Sequence, residues 1–153
     1  VTWANLFAVN DRESMIAAME RLQPYRSPQT TTVGILNNRS DRQLRATQFA
    51  DVAVRDLDFD RLVTFGAYEQ IVTQRLKDNG WPADRIANLG EQRKPTIEQM
   101  IDELVHRNDM PHVLVVGFVN IHTHQAEMML DYFEHEAEAV DPGDEHEMMA
   151  VVA

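Results

Sequence analysis

Residues 31–53, TTVGILNNRSDRQLRATQFADVA, decide the fold. The segment opens with an unbroken apolar run, Val33 to Leu36, which is typical of a parallel strand buried on both faces. Polar residues follow from Asn37 to Arg42. Apolar residues then recur three, four and seven positions apart, which predicts an amphipathic helix. The segment therefore predicts a strand, a polar loop at its carboxyl end, and a helix.

The same order of strand, polar loop and helix recurs along the chain. Predicted strands cover residues 3–9, 33–36, 61–66, 86–90 and 112–119, and a helical pattern follows each of them. Asn10 with Glu13, and Thr96 with Gln99, predict capping boxes at the starts of the first and fourth helices. Five strands alternating with five helices predict a Rossmann-like, doubly wound, mainly parallel α/β sheet of five to six strands flanked by helices.

Parallel pairing would bring five loops to one edge of the sheet, the edge where open α/β folds bind their ligands. We number these loops in chain order. They are loop 1 (Asn10–Asp11), loop 2 (Asn37–Arg42), loop 3 (Gly66–Glu69), loop 4 (Gly90–Lys94) and loop 5 (Asn120–His124). Loops are polar in most proteins, but the concentration of Asn, Asp, Arg and His in loops 1, 2 and 5 favours a binding site.

Loop 2 has the composition of an anion site. Arg39, Arg42 and Arg45 recur every three residues, so the last two are expected on one face near the start of the following helix. A helix N-terminus attracts anions through its free N–H groups and its dipole. The alternative is that Asn and Asp serve here as turn formers and caps, and that the arginines are merely solvated.

The bulk composition limits the class of protein. A chain of 153 residues suits one domain with a substantial core, and the absence of cysteine excludes disulfides and thiolate metal sites. A net charge of −11 argues against a nucleic-acid partner. The chain begins at Val1 and enters a predicted strand almost at once, so we expect a processed chain or an excised domain.

Several chemical motifs are absent. The sequence contains neither a G-x-x-x-x-G-K-[ST] phosphate loop nor a G-x-G-x-x-G after the first strand, which argues against self-sufficient binding of a nucleoside triphosphate or a dinucleotide. It also lacks a serine nucleophile elbow. His122 and His124 supply two imidazoles, but a zinc site needs a third and usually a fourth ligand, so we expect no dedicated metal site.

The end of the chain is acidic from Glu134 to Glu147 and apolar again from Met148 to Ala153. The acidic part is typical of a solvated tail. The apolar end is compatible with an edge strand, a contact with a partner, or disorder.

Four segments carry a resemblance to a known family. WANLFAVNDRES, VGILNNRSDRQLRATQFADVA, RLVTFGAYE and HVLVVGFVNIH resemble the C-terminal domain of the ligase subunit of capsule-type poly-γ-glutamate synthase. That family is similar to the Mur ligases and the folylpolyglutamate synthetases. The most specific match is L-N-N-R-x-D-R in loop 2. The chain departs from the family pattern at Arg12, where proline is usual, and in loop 5, which lacks the usual glycines.

The resemblance implies an ATP-dependent amide ligase of capsule biosynthesis, in which ATP phosphorylates a carboxylate and the amine of glutamate attacks the acyl phosphate. The phosphate loop and the Mg²⁺ carboxylates would lie in a preceding central domain, so this chain alone would be inactive. It would contribute positioning and charge neutralisation rather than a catalytic nucleophile or base.

Residue roles follow from the same resemblance. Asn10 and Asp11 would face the nucleotide, and Asn120 and His122 of loop 5 are further candidate contacts. The residues expected to bind phosphate or a substrate carboxylate are Asn37, Asn38, Arg39, Asp41, Arg42 and Arg45.

The resemblance also implies a domain organisation and partners. Residues 1–135 would form a Mur-ligase C-terminal-like α/β domain, and residues 136–153 an acidic tail. Expected partners are ATP, glutamate or growing polyglutamate, the N-terminal and central ligase domains, membrane subunits of the synthase, and further copies in a homo-oligomer. The location would be cytoplasmic, at the inner face of the membrane.

Two other functions stay open. One is a stand-alone Rossmann-like module that binds a small anion or a protein partner without catalysis. The other is a structural role, in which the acidic tail and Met148–Ala153 dock to neighbouring subunits.

Overall fold

The computed structural model describes residues 1–139 and 151–152, and the surroundings of side chains as far as residue 136. The strands are β1 Thr2–Leu6, β2 Thr30–Asn38, β3 Arg61–Gly66, β4 Ile86–Asn88, β5 His112–Phe118 and β6 Val151–Val152. The helices are α1 Arg12–Arg21, α2 Gln43–Arg55, α3 Glu69–Asp78, α4 Ile97–Ile101 and α5 His124–Ala139. Most of the predicted acidic tail lies outside the described residues.

The strands form one sheet in the order β4-β3-β2-β5-β1-β6. Every pair of neighbouring strands is parallel. The predicted doubly wound, parallel α/β fold is therefore confirmed, and loops 1–5 all lie at the carboxyl edge of the sheet. At the apolar end of the chain, Val151 and Val152 form an edge strand by pairing with Trp3 and Ala4 of β1. The other residues of Met148–Ala153 lie outside the described residues.

Helices cover both faces of the sheet. Met15, Phe49 and Leu76, from α1, α2 and α3, belong to the core on one face. Met100 and Phe133, from α4 and α5, belong to the core on the other. Neighbouring strand residues divide between the two cores, which explains why the central strands read as continuous apolar runs rather than alternations.

The observed elements differ from the predicted ones mainly at their ends. Strand β1 stops at Leu6 rather than Val9, where the N–H of Val9 donates to the carbonyl of Leu6 in a turn. Strand β2 extends through Asn38, so two residues of loop 2 are strand residues. The cap of α1 is Asp11 rather than Asn10, because the Asp11 side chain accepts from the N–H of Ser14.

The fourth and fifth helices also differ in detail. The capping box of Thr96 and Gln99 at α4 is confirmed, but after Ile101 the helix continues as a π-helical turn, Asp102–His106. Helix α5 extends past residue 135 to Ala139. The division between domain and tail stays a prediction. Among the described helices, none combines the length and the apolar character needed to cross a bilayer.

Candidate functional site

The carboxyl edge has a topological switch point between β2 and β5. After β2 the chain moves toward β3 and β4, whereas after β5 it moves toward β1 and β6 on the opposite side. Loops 2 and 5 therefore diverge from adjacent strands and leave a crevice, the usual ligand position in open α/β sheets. Both loops contain predicted site residues.

Asn37 and Asn120 join the two sides of this crevice. The Asn37 side-chain amide donates to the Asn120 carbonyl at 2.7 Å, and the Asn120 side-chain amide donates to the Asn37 carbonyl at 2.9 Å. Both residues are buried. The Thr123 hydroxyl donates to Asn37 Oδ1 at 2.7 Å. The amide groups of Asn37 are thus engaged within the protein and fix loop 5 against the end of β2.

Arg45 extends the same network to α2. Its Nη1 donates to Asn120 Oδ1 at 3.0 Å. Arg42 instead lies at the N-cap of α2 with an extended φ of −134°, and its guanidinium contacts Asp41. The two arginines that were expected to share a helix face therefore have different partners.

Asn38 is buried beside this network but is incompletely bonded. Its Nδ2 reaches the Leu36 carbonyl at 3.4 Å, and its Oδ1 has no hydrogen-bond partner. A buried polar atom without a partner is uncommon and costs stability. Asn38 Oδ1 therefore lacks a donor, and because it is buried, no ligand reaches it in this conformation.

Arg39 and Asp41 form a two-pronged ion pair in loop 2. Arg39 Nε and Nη2 donate to the two Asp41 carboxylate oxygens at 3.0 and 2.9 Å. The Asp41 side chain is 51% exposed. Desolvation raises the Asp41 pKa, but the hydrogen bond from Arg39 and the charges of Arg39 and Arg42 outweigh it, so the net shift is downward. Asp41 fixes the guanidinium plane and leaves Nη1 of Arg39 free.

The N-terminus of α2 is open to an anion. No side chain caps it, and its first turn contains no acidic residue. The other described helices each have a capping side chain or an acidic residue there. The uncapped N–H groups of α2, with Arg39 and Arg42 beside them, match the composition expected of an anion site.

Loop 1 is less open than predicted. The Asp11 carboxylate caps α1, and its hydrogen bonds with Ser14 lower the Asp11 pKa. Asn10 is exposed. Arg12 makes a bidentate ion pair with Asp56 at the end of α2. The nucleotide-facing role of Asn10 and Asp11 stays a prediction.

Backbone strain is concentrated at the carboxyl edge. The non-glycine residues with positive φ in the described part of the chain are Tyr68, Lys94, Val119 and His122. All four lie after the carboxyl ends of strands. Val119 at φ 93° is the most unusual, because a β-branched side chain disfavours this region. Such strain persists only where the surroundings hold it and is common at functional sites.

Gln125 is a residue that the sequence analysis did not single out. It is 5% exposed, accepts at 2.6 Å from the N–H of Gly66 in loop 3, and donates to the carbonyl of Leu89 beside loop 4. It forms part of the wall of a cavity of about 390 Å³ between loops 3, 4 and 5. No signal in the sequence distinguishes it, since glutamine in a first helical turn is usually solvated.

The buried carboxylate of Glu69 fixes loop 4. Glu69 is 7% exposed, and its Oε1 accepts from the N–H of Gln92 at 2.7 Å. A Cβ at Gly90 would fall 1.9 Å from Glu69 Cγ, so glycine is needed for this close approach. Loop 4 is therefore held in place by a side chain of the first turn of α3.

The histidines of loop 5, His122 and His124, are exposed. Within residues 1–136, His, Asp and Glu side chains nowhere gather in a group of three or more suited to a metal ion.

Comparison with known proteins identifies the family. The family model of the poly-gamma-glutamate synthase CapB C-terminal domain matches residues 1–136. The chain is also 24% identical over 120 residues to PGA synthase CapB of Bacillus subtilis (strain 168), an alignment that covers 78% of this chain and 29% of that protein. The chain thus spans less than a third of the length of that relative. It belongs to the CapB C-terminal domain family.

Proposed function

We propose that this chain is the nucleotide- and substrate-closing domain of an ATP-dependent ligase that joins glutamate units into poly-γ-glutamate. The observation that carries the proposal is the family match over residues 1–136, in a fold whose loops 1, 2 and 5 share one edge. The chain covers 29% of a relative named as a PGA synthase. The proposal therefore assigns the phosphate loop to a domain that this sequence does not contain.

ATP would supply the phosphoryl group that activates a carboxylate as an acyl phosphate, which the amine of the next glutamate attacks. The described residues fit a phosphate or a carboxylate at the uncapped start of α2. We assign Mg²⁺ to the central domain of the full-length ligase.

Arg39 and Arg42 would bind and neutralise the anionic group in loop 2. The fork of Arg42, of which only Nη1 contacts Asp41, suits the paired oxygens of a carboxylate or a phosphate, and Arg39 adds the Nη1 that Asp41 leaves free. Asp41 keeps the plane of the Arg39 guanidinium fixed. This preorganisation lowers the cost of holding the anion while the amide bond forms.

Asn37, Asn120 and Arg45 would act as positioning residues rather than as direct contacts. Their side chains are bonded to one another across the switch point. They would hold loop 5 and the exposed His122 against loop 2. Asn10 and Asp11 of loop 1 are proposed to face the nucleotide.

The proposal extends to location and partners. A ligase that consumes ATP and glutamate would work in the cytoplasm, at the inner face of the membrane through membrane subunits of the synthase. The N-terminal and central ligase domains, and further copies of the ligase in a homo-oligomer, are the other proposed partners.

The test is glutamate polymerisation by the full-length ligase with its synthase partners. Arg39→Ala should lower the ATP-dependent rate about 100-fold, on the scale of losing one preorganised charge contact. The matched control is Arg85→Ala, because Arg85 is an exposed arginine at the opposite edge of the sheet. Equal rates for the two variants would contradict the loop 2 assignment. A wild-type protein without ATP-dependent amide synthesis would contradict the proposed function itself.

A further inference from the structure

The cavity between loops 3, 4 and 5 is separate from the arginines of loop 2. Its volume is about 390 Å³, within the range typical of small-molecule pockets. The lining residues that bear on its chemistry are Glu91, Lys94, Pro95, His124, Gln125 and Met128. None of the predicted site residues lines it.

The cavity is held open by buried contacts rather than by flexible surface residues. Gln125 bridges Gly66 and Leu89, and so joins loops 3 and 4 to the start of α5. Glu69 anchors Gln92 in the middle of loop 4. A cavity with fixed walls costs little to organise when a ligand binds.

Two opposite charges in this cavity are unpaired among the residues that the structure describes. Among the described residues, neither the Lys94 ammonium nor the Glu91 carboxylate forms an ion pair or a side-chain hydrogen bond. Lys94 also adopts a left-handed backbone, φ 44°, in loop 4. Both residues are exposed, so a small ligand could reach them without first breaking a salt bridge.

The remaining walls define the size and polarity of the ligand. Pro95 and Met128 supply apolar surface, and Gln125 has both ends of its amide already bonded. A phosphate would be repelled by Glu91 and would leave the apolar walls uncovered. A short aliphatic molecule that carries one carboxylate and one ammonium would match Lys94, Glu91 and the apolar walls together.

We propose that this cavity binds the α-amino and α-carboxylate groups of a glutamate unit, with Lys94 on the carboxylate and Glu91 on the ammonium. The inference rests on the proposed function and adds a second subsite to it, in which a glutamate unit is anchored by its α-groups and its amine, held as an ammonium, is not the attacking nucleophile. Two sources share this chemistry. Free glutamate carries both groups, and so does the amino-terminal residue of a γ-linked chain, because a γ-linkage leaves its α-carboxylate free.

The test is a titration of the 15N-labelled chain, followed by its amide resonances, with five ligands: L-glutamate, D-glutamate, γ-glutamyl-glutamate, glutarate and inorganic phosphate. Glutamate of at least one hand, or the γ-linked dipeptide, should shift the amides of Gly66, Lys94, His124 and Gln125. Tighter binding of the dipeptide would assign the site to the growing chain, and tighter binding of glutamate to the free amino acid. Glutarate lacks the ammonium and should bind about tenfold more weakly than the preferred ligand.

Two variants and one control decide the assignment. Lys94→Gln and Glu91→Gln should each weaken the cavity response to the preferred ligand about tenfold, while leaving the rest of the spectrum in place. Arg85→Gln removes one positive charge at the opposite edge and should leave the affinity unchanged.

Three results would overturn the cavity proposal. The first is that only the amide resonances of Arg39 and Arg42 shift. The second is that glutarate binds as tightly as glutamate. The third is the absence of any shift at the cavity amides. Each result leaves the proposed ligase function standing, since that function is tested by polymerisation in the full-length protein.

Discussion

At the amino edge of the sheet, Arg61 donates from Nη1 to the Glu103 carbonyl at 2.9 Å and forms an ion pair with the Glu103 carboxylate. Arg107 reaches the other oxygen of that carboxylate at 3.0 Å. At the carboxyl edge, Lys94 and Glu91 have no such partners among the described residues, and Asn38 Oδ1 is buried without one. The partly buried Arg61–Glu103 pair thus stabilises the amino edge, while the carboxyl edge retains unpaired polar groups.

The larger cavity lies at the amino edge, with a volume of about 690 Å³. Cavity size alone would favour that edge as the binding site. Backbone strain favours the carboxyl edge instead, because the described non-glycine residues with positive φ, Tyr68, Lys94, Val119 and His122, all follow the carboxyl ends of strands. We therefore give backbone strain more weight than cavity volume.

The largest effect is expected from Glu103→Ala at the amino edge. The substitution leaves the Arg61 guanidinium, whose side chain is 17% exposed, without its carboxylate. Breaking a buried pair in this way costs about 3–5 kcal/mol of unfolding free energy. Urea unfolding measures it. Glu98→Ala, at an exposed position of the same helix, should cost less than about 0.5 kcal/mol. Similar losses for the two variants would contradict the assigned role of the amino edge.

Gly66, at the end of β3, allows a test of the close packing at the carboxyl edge. Both Gly66 and Gly80 have positive φ, but a Cβ at Gly66 would lie 2.1 Å from the Asn38 carbonyl oxygen, whereas a Cβ at Gly80 meets nothing within 4 Å. Gly80→Ala should cost about 1 kcal/mol from its backbone conformation alone. Gly66→Ala should cost about 3 kcal/mol, because backbone must also move. If the two variants unfold at the same denaturant concentration, the close approach between loops 2 and 3 is wrong.

Asn37 and Asn38 are neighbours in loop 2, but we expect Asn37 to contribute mainly to stability and Asn38 mainly to activity. Asn37→Ala removes bonds to Asn120 and Thr123 and should destabilise the domain by about 2 kcal/mol. Asn38→Ala removes only one long hydrogen bond and should cost less than about 1 kcal/mol. In the full-length ligase, Asn38→Ala should nevertheless lower the rate. If Asn38→Ala lowers the unfolding free energy more than Asn37→Ala does, these two roles are wrong.

The smallest effect is expected at Asp51 of α2, which forms an ion pair with Arg75 of α3 away from both edges of the sheet. Hydrogen bonding by Arg75 lowers the Asp51 pKa to about 2. The stabilisation should therefore be complete above the unfolded pKa of about 4 and disappear as the pH falls toward 2. Arg75 is half-exposed, so we expect only about 1 kcal/mol. The difference in unfolding free energy between the wild type and Asp51→Asn should shrink across this window, and a constant difference would contradict the assigned pKa.

Much of the fold could be predicted because parallel strands and amphipathic helices have distinct hydrophobic periods. The apolar run Val33–Leu36 and the apolar stripe of α2 depend only on local strand and helix geometry. They can therefore be recognised without knowledge of the tertiary structure. The end of β2 was less predictable, since Asn37 and Asn38 look like loop residues. They remain in the strand because Asn37 forms hydrogen bonds with Asn120, which is 83 residues away in the sequence.

The candidate site was likewise predictable only in part. The arginines of loop 2 were predictable, because guanidinium groups at a helix start indicate anion binding wherever they occur. Their pairings were not, since Asp41 was equally compatible with binding a ligand and with binding Arg39. Glu91, Lys94 and Gln125 gave no signal, because their meaning depends on a cavity built from three loops.

The sequence by itself therefore determined the class of fold, the edge at which the loops gather, and the family resemblance that the comparison with known proteins confirms. These properties follow from periodicity and from short contiguous motifs, which need no knowledge of distant contacts. The tertiary structure decided which polar groups are already bonded and which are free. That distinction depends on residues far apart in the chain, such as Asn37 with Asn120 and Gly66 with Gln125, and it is fixed only when the strands and loops pack together.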